Sequence, residues 1–327
     1  MPVITSIHPH MNITKTNRPS HQFARLTALA TTFTLALALE SAVAAKPAPP
    51  AYTTSVIARG LHRPTGIVAS VDEEIYFSEV PNPGVPNAGN AVKKLDLEEN
   101  EITTVHEGEP EPTNLALDHR GTLYWTCKSA GVILEMNADG TASPLLRNLK
   151  KPSGIALDKK GNVYFTEVPT PGVPGTAGGS NSVSAFDGTG TEVLHVGEPE
   201  PTDIASTRRG EIYWTCKSAG VILEQDADGK TTTLLRGLSK PTGIALNHKG
   251  TKLFWTEVPT PGVSGANGGT NKVWELNLKT KVKTLVDSGD PEPTDVTVDR
   301  DGSIYWTCTS AGVIVKAKPA RRDRNDD

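Results

Sequence analysis

The chain has 327 residues, a formal net charge of −4, 36% hydrophobic and 5% aromatic residues, 30 Gly and 25 Pro. That length suffices for one large domain with a buried core, and the abundance of turn-forming residues suits many short strands rather than helices. A near-neutral balance with no basic stripe to neutralise phosphates excludes nucleic acid as an expected partner.

Residues 1–45 read as a secretory signal. Lys15, Arg18 and Arg25 supply positive charge, residues 26–39 are apolar apart from threonines, and Ala42-Val43-Ala44 fits the small-x-small cleavage rule. The apolar run is too short for a membrane span, so the chain is predicted to be secreted or luminal, with no stable membrane anchor. The one glycosylation sequon, Asn12-Ile13-Thr14, falls inside this leader. Residues 319–327, with Arg321-Arg322-Asp323-Arg324, read as a disordered charged tail.

Residues 46–318 between them repeat. One segment type begins Arg63-Pro64-Thr65-Gly66-Ile67 and runs through Tyr76-Phe77-Ser78-Glu79-Val80-Pro81; it recurs from Lys151 and from Lys240. A second type begins Glu111-Pro112-Thr113-Asn114-Leu115 and runs through Tyr124-Trp125-Thr126-Cys127-Lys128; it recurs from Glu200 and from Glu292. The Pro-Thr/Ser anchors fall at 64, 112, 152, 201, 241 and 293, and units of about 40–50 residues are the size of propeller blades. Within a unit, Ile155-Ala156-Leu157, a turn at Asp158-Lys159-Lys160-Gly161, and Val163-Tyr164-Phe165-Thr166 read as two antiparallel strands, with two more beyond. The expected fold is therefore all-β: a six-bladed β-propeller made of three tandem copies of a two-blade repeat. The last unit ends near Val313-Ile314-Val315-Lys316 without a fourth strand, and Ser55-Val56-Ile57-Ala58-Arg59-Gly60-Leu61 matches the missing piece. The N-terminal strand is expected to close the last blade and remove an exposed edge.

In such a blade the start of the innermost strand and the end of the second lie side by side near the channel. Innermost starts supply Thr65, Thr113, Ser153, Thr202, Thr242 and Thr294, followed by Gly66, Asn114, Gly154, Asp203, Gly243 and Asp295. Second-strand ends supply Glu79, Cys127, Glu167, Cys216, Glu257 and Cys308, with Lys128 and Lys217 after two of the cysteines and Thr309 after the third. The hydroxyls, Asn114, Asp203 and Asp295 suit ligand contact or turn capping. Glu79, Glu167 and Glu257 precede long Pro/Gly loops that could rim the mouth; facing one another there they would favour holding a proton and serve as general acids, whereas pairing with Lys128 or Lys217 would hold them charged. Trp125 and Trp214 suit either the blade core or an aromatic wall. Three cysteines on separate blades read as buried thiols rather than a disulfide or zinc set. No metal site and no cofactor are expected.

Two resemblances attach to these residues. The channel mouth is similar to that of six-bladed calcium-dependent lactonases of the gluconolactonase type, but Thr or Ser stands here where that family has a metal-binding Asn or Asp after the inner-strand Pro. Asn114, Asp203 and Asp295, one position later, are the nearest candidates for a cation. The Tyr-Trp-Thr-Cys-Lys-Ser-Ala-Gly-Val-Ile blocks from Tyr124 and Tyr213, the Thr-Glu-Val-Pro-Thr-Pro-Gly-Val blocks from Thr166 and Thr256, and the leader resemble small secreted fungal propellers that act as hetero-Diels–Alderases in tropolone sesquiterpenoid biosynthesis. That resemblance implies small-molecule partners, a tropolone o-quinone methide and a humulene-type sesquiterpene, joined into a dihydropyran without a cofactor. Thr113, Thr202, Lys128 or Lys217 would polarise the heterodiene carbonyl. A non-catalytic, lectin-like binding propeller is the other class, since near-identical threefold sites suit multivalent ligands.

Overall fold

A computed structural model of the chain describes residues 51–81, 83, 89–108, 111–169, 181–197, 199–259 and 271–320. The leader with its cleavage point, most of the three Pro/Gly loops and residues 321–327 lie outside these. Among the described residues every regular element is a strand.

The sequence alternates short β-rich runs with Gly, Asp and Asn turns, and these fold into six four-stranded antiparallel sheets. In five sheets the strands follow chain order outward from the channel. The inner strands are Pro64–Ala69, Pro112–Leu117, Pro152–Leu157, Pro201–Ser206, Pro241–Leu246 and Pro293–Val298, and each touches the inner strands of both neighbouring blades, so the ring closes. The sixth sheet is completed from the other end of the chain. Tyr52–Ala58 pairs antiparallel with Val313–Pro319, Thr54 opposite Ala317 and Val56 opposite Val315. This covers an edge that would otherwise expose unpaired backbone.

Packing follows from the two-residue period of a strand, which sends neighbouring side chains to opposite faces. In each second strand an aromatic pair splits accordingly: Tyr124 packs toward blade 3 with Ile155 and Phe165, while Trp125 packs toward blade 1 with Val92 and Leu115. Phe77, Trp125, Phe165, Trp214, Trp255 and Trp306 are all fully buried. Six apolar clusters result, one in each seam between neighbouring blades.

Each inner strand begins with a bulge. Register slips between Pro64 and Ile67 and at the same place in the other five blades, which releases backbone N–H groups from the sheet ladder. The hydroxyl next along the second strand takes one of them. Thr166 accepts from Gly154 N at 2.8 Å and Thr126 from Asn114 N at 3.1 Å. The same hydroxyls donate across the seam, Thr126 to Ser153 O at 2.7 Å, Thr215 to Thr242 O at 2.6 Å and Thr307 to Thr65 O at 2.6 Å. Ser78, Thr126, Thr166, Thr215, Thr256 and Thr307 thus stitch every blade to the next with fully buried side chains.

The two-blade period has a steric cause. A Cβ built on Gly154 would lie 2.6 Å from Asp203 Cα, and one on Gly243 2.5 Å from Asp295 Cα. Near the axis only every second blade has room for a side chain, and the intervening blades carry glycine. Gly154→Ala should therefore lower stability by about 1–3 kcal/mol through overpacking. Gly190→Ala, in a hairpin turn with open space around the position, should be neutral or slightly stabilising. Urea unfolding midpoints measure both; equal midpoints for the two variants would contradict the steric account.

Candidate functional site

The bulge-and-glycine pattern sets Asn114, Asp203 and Asp295, from blades 2, 4 and 6, around the channel axis. Each reaches the following blade's freed backbone: Asn114 Oδ1 accepts from Ile155 N at 3.2 Å, Asp203 Oδ2 from Ile244 N at 2.7 Å and Asp295 Oδ2 from Ile67 N at 2.9 Å. Asp203 Oδ1 and Asp295 Oδ1 also accept from Ile204 N and Val296 N at 2.7 and 2.8 Å. Asn114 Nδ2 donates to Asp295 Oδ2 at 3.0 Å, and Asp203 and Asp295 are hydrogen-bonded to each other. The three side chains form an axial knot that lines the cavities at both ends of the channel.

Two buried carboxyls in contact cannot both remain ionised without several kcal/mol of desolvation and repulsion. Burial raises Asp203 well above the usual carboxylate range, with the Asp295 charge adding to it. Burial likewise pushes Asp295 up to about 7, against the opposing effect of the Ile67 and Val296 N–H groups. At neutral pH the pair holds at least one proton.

On one side of the knot lies a cavity of about 300 Å³, at the small end of the range for ligand sites. All six hydroxyls expected at the mouth line it: Thr65, Thr113, Ser153, Thr202, Thr242 and Thr294, together with Lys128 and Lys217. The hydroxyls are also committed locally. Thr113 shares a hydrogen bond with Thr126 at 3.0 Å, Ser153 donates to Thr202 O at 2.7 Å, and Thr202 donates to Glu200 O at 3.0 Å. They cap backbone and face the cavity at once. Lys128 and Lys217 pair loosely, at 3.9 and 3.8 Å, with Glu111 and Glu200.

The residue before each anchoring Pro forms a charged collar that the sequence reading passed over. Arg63, Glu111, Lys151, Glu200, Lys240 and Glu292 alternate in sign, and all six have φ between 52° and 59°. A left-handed backbone is uncommon for non-glycine residues and disfavoured before Pro. It is held by the carbonyls: Arg63 O accepts from Val80 N, Glu111 O from Lys128 N and Glu200 O from Lys217 N at 3.0–3.2 Å, with equivalents in the other blades. Arg63, Glu111 and Glu292 line the cavity beside Val80 and Pro83. The detectable signal was a charged residue before every Pro-Thr/Ser, alternating in sign.

Other expected site residues lie elsewhere. Glu79, Glu167 and Glu257 do not line this cavity and do not pair with Lys128 or Lys217. Glu79 accepts from His62 N at 2.9 Å and pairs with Lys93 at 2.6 Å. Glu167 accepts from Lys150 N at 2.5 Å and Ser182 Oγ at 3.2 Å. Glu257 accepts from Trp255 Nε1 at 3.0 Å and Ser239 N at 3.3 Å and sits 3.9 Å from Lys283. Their carboxylates fasten the connection entering each blade. Trp125 and Trp214 are fully buried in the seams, removed from any aromatic wall. Cys127, Cys216 and Cys308 are buried, unbridged thiols.

A calcium ion of the kind the lactonase resemblance implies would need several free, ionised oxygen donors. The axial set does not fit that demand. Asn114 Oδ1 and all four Asp oxygens already accept backbone N–H groups, and the two carboxyls share a hydrogen bond.

The proton held by the pair is linked to folding. Unfolded aspartates titrate near 3.9, so a folded value raised to about 7 for Asp295 gives stability that is fully present below pH ~4 and lost as pH rises through 7. Asp295 alone should account for a fall of about 2–3 kcal/mol in unfolding free energy between pH 5 and pH 8. Asp295→Asn removes that titrating carboxyl, supplies the amide that Asn114 already uses, and should remove that share of the slope. Asp287, raised to about 7 by burial and then by Asp290, contributes equally to both proteins, so the difference isolates the axial pair. Identical slopes in chemical denaturation would refute the shared proton.

No protein-family model matches the chain. A protein of Pyricularia oryzae strain 70-15 named low-density lipoprotein receptor-related protein 1 is 25% identical over 260 residues, covering 68% of this chain and 81% of that one. Among solved structures, a streptogramin B lyase superposes with a TM-score of 0.55 at 17% identity, covering 82% of this chain and 98% of the lyase. A gluconolactonase of Xanthomonas campestris superposes with a TM-score of 0.64 at 13% identity, over 82% and 90% of the two chains. These likenesses establish the six-bladed propeller fold.

Proposed function

We propose that the chain is an enzyme of secondary metabolism, made for the secretory pathway, whose site is the hydroxyl- and lysine-lined mouth above the axial knot. The observation that carries the reading is the buried Asp203–Asp295 carboxyl pair at the floor of that cavity, beneath a ring of hydroxyl and ammonium groups. The acid role expected of Glu79, Glu167 and Glu257 passes to this pair. Lactonase resemblance and lyase likeness are compatible with an enzymatic propeller; the finer assignment follows the Diels–Alderase resemblance.

In that assignment a tropolone bearing a benzylic-type alcohol occupies the cavity. The protonated member of the pair gives its proton to the departing hydroxyl as the C–O bond breaks. The pair takes back the proton of the ring hydroxyl, whose oxygen becomes the carbonyl. Water leaves, and the pair again holds one proton. The o-quinone methide then adds across the alkene of a humulene-type partner, one C–C and one C–O bond forming with no proton moved. A neighbouring ammonium of Lys128 or Lys217 polarises the heterodiene carbonyl, while Thr113 and Thr202, whose hydroxyl protons go to Thr126 and Glu200 O, shape the wall that holds the two partners in one orientation. Val80 and Pro83 offer apolar surface toward the rim for the hydrocarbon.

A second reading, a non-catalytic binding propeller, is favoured by the threefold repetition of mouth residues and by the receptor-related fungal protein. One assay separates them. The mature chain is incubated with the tropolone alcohol and humulene, and product is followed by chiral chromatography with mass detection. Enzymatic action gives one stereoisomer faster than the uncatalysed mixture. Asp203→Asn slows water loss about 100-fold but spares addition of a pre-formed quinone methide, and Thr113→Val with Thr202→Val erodes stereoselectivity. Racemic product at the background rate contradicts the enzyme; retention of either compound without turnover selects the binding module.

A further inference from the structure

The channel's other mouth carries a charge pattern that the net charge of −4 conceals. It is built from the turns joining each inner strand to the second strand. In blades 2–4 these turns share one construction, and in blades 5 and 6 Asn247 and Asp299 likewise accept backbone N–H groups beyond the tip, from Thr251 N and Ser303 N at 2.8 Å. Asp118 Oδ1 accepts from Arg120 N and Thr122 N at 2.8 Å, Asp158 Oδ1 from Lys160 N and Asn162 N at 2.8 and 3.0 Å, and Thr207 Oγ1 from Arg209 N and Glu211 N at 3.2 Å. A glycine with positive φ closes each turn, as at Gly161 and Gly210. This scaffold uses only the backbone of the two tip residues, and their side chains are exposed.

Those tips read His-Arg, Lys-Lys, Arg-Arg, His-Lys and Arg-Asp, starting at residues 119, 159, 208, 248 and 300. Nine of ten are basic types, whereas the turn of blade 1 carries Asp72 and Glu73. Turn chemistry sets no such preference at these positions. A cavity of about 790 Å³ opens at this mouth with the axial knot beneath it, and the tips that line it are those of blades 4 and 5, Arg208, Arg209, His248 and Lys249. Two of the tips are joined there: Arg208 Nη2 donates to His248 Nε2 at 2.7 Å, which holds that imidazole neutral and leaves the guanidinium as the charge. Burial first, then the Arg208 and Arg300 charges, lower the His248 pKa. The nearby lining carboxylate, Glu211, accepts from Thr207 Oγ1 at 2.9 Å. Cations gathered around a concavity focus field on an anion inside it, and paired guanidinium groups match phosphate oxygens in geometry as well as charge.

We propose that this second mouth is a binding site for a compact, multiply charged phosphate compound, seated against the tips of blades 4 and 5, on the side of the channel away from the acidic turn of blade 1. A concave rim favours a small oligoanion over an extended polymer or a membrane. The site is separate from the hydroxyl-lined mouth and does not depend on the function proposed for it.

Tripolyphosphate is the probe, titrated calorimetrically into the full mature chain at 50 mM and 300 mM salt. Expected is saturable one-to-one binding that weakens steeply with salt. Arg208→Glu with Lys249→Glu should weaken it at least about tenfold, and the neutralising pair Lys160→Gln with Arg209→Gln should weaken it less while keeping the thermal midpoint of the parent. Heparin fragments and phosphatidylserine vesicles form the comparison arms. Absence of binding at 50 mM salt overturns the proposal, as do equal affinities across the parent and both double variants. Binding confined to heparin or vesicles overturns it too, because it assigns the crown to an extended polyanion.

Discussion

Six separate sheets meet around one axis in this protein, and no backbone ladder runs from one sheet to the next. What crosses each seam, besides apolar contact, is a small set of buried side-chain hydrogen bonds onto backbone groups released by a bulge. The six hydroxyls at Ser78, Thr126, Thr166, Thr215, Thr256 and Thr307 form one ring of such bonds; Asn114, Asp203 and Asp295 form the other, at the axis. Buried bonds of this kind matter most through the cost of leaving them unmade. The bulges, the alternating glycines and the shared proton all follow from making them.

The architecture was legible because the repeat is strong and blade-sized, and because the closing strand matches the outer strands it replaces. The hydroxyls and lysines of one mouth were legible for the same reason: the anchor Pro-Thr/Ser places them at a fixed point of each inner strand. Glu79, Glu167 and Glu257 were misplaced because their position in the register is right while their direction is not. They pair across from the anchoring prolines, yet each side chain turns to the connection entering its own blade, which a pattern of residues cannot reveal. Trp125 and Trp214 stand in strands buried on both faces, so the usual alternation that would set an inward ring apart from an outward one is missing. The Gly/Asx alternation was visible in the sequence, but its cause, the room left near the axis, needs three dimensions.

The axial knot also divides the channel into two unlike chambers. One mouth presents hydroxyls, two lysines and a collar of alternating charge; the other is dominated by basic turn tips. Both reach the same three side chains, so the protonation of Asp203 and Asp295 is felt from either side. Structural closure and charge meet in one cluster: the carboxyls that fasten blade 4 to blade 5 and blade 6 to blade 1 are also titratable groups that line both chambers.

That cluster can be observed directly. Carbon-13 labelling of the aspartate carboxyls allows the Asp203 and Asp295 resonances to be followed by NMR through a pH titration, with Asp203→Asn and Asp295→Asn providing the assignments. The account predicts that the pair gains one proton near pH 7 and that both resonances report the same step. Two independent titrations below pH 5 would show two ionised carboxylates at the axis and contradict it.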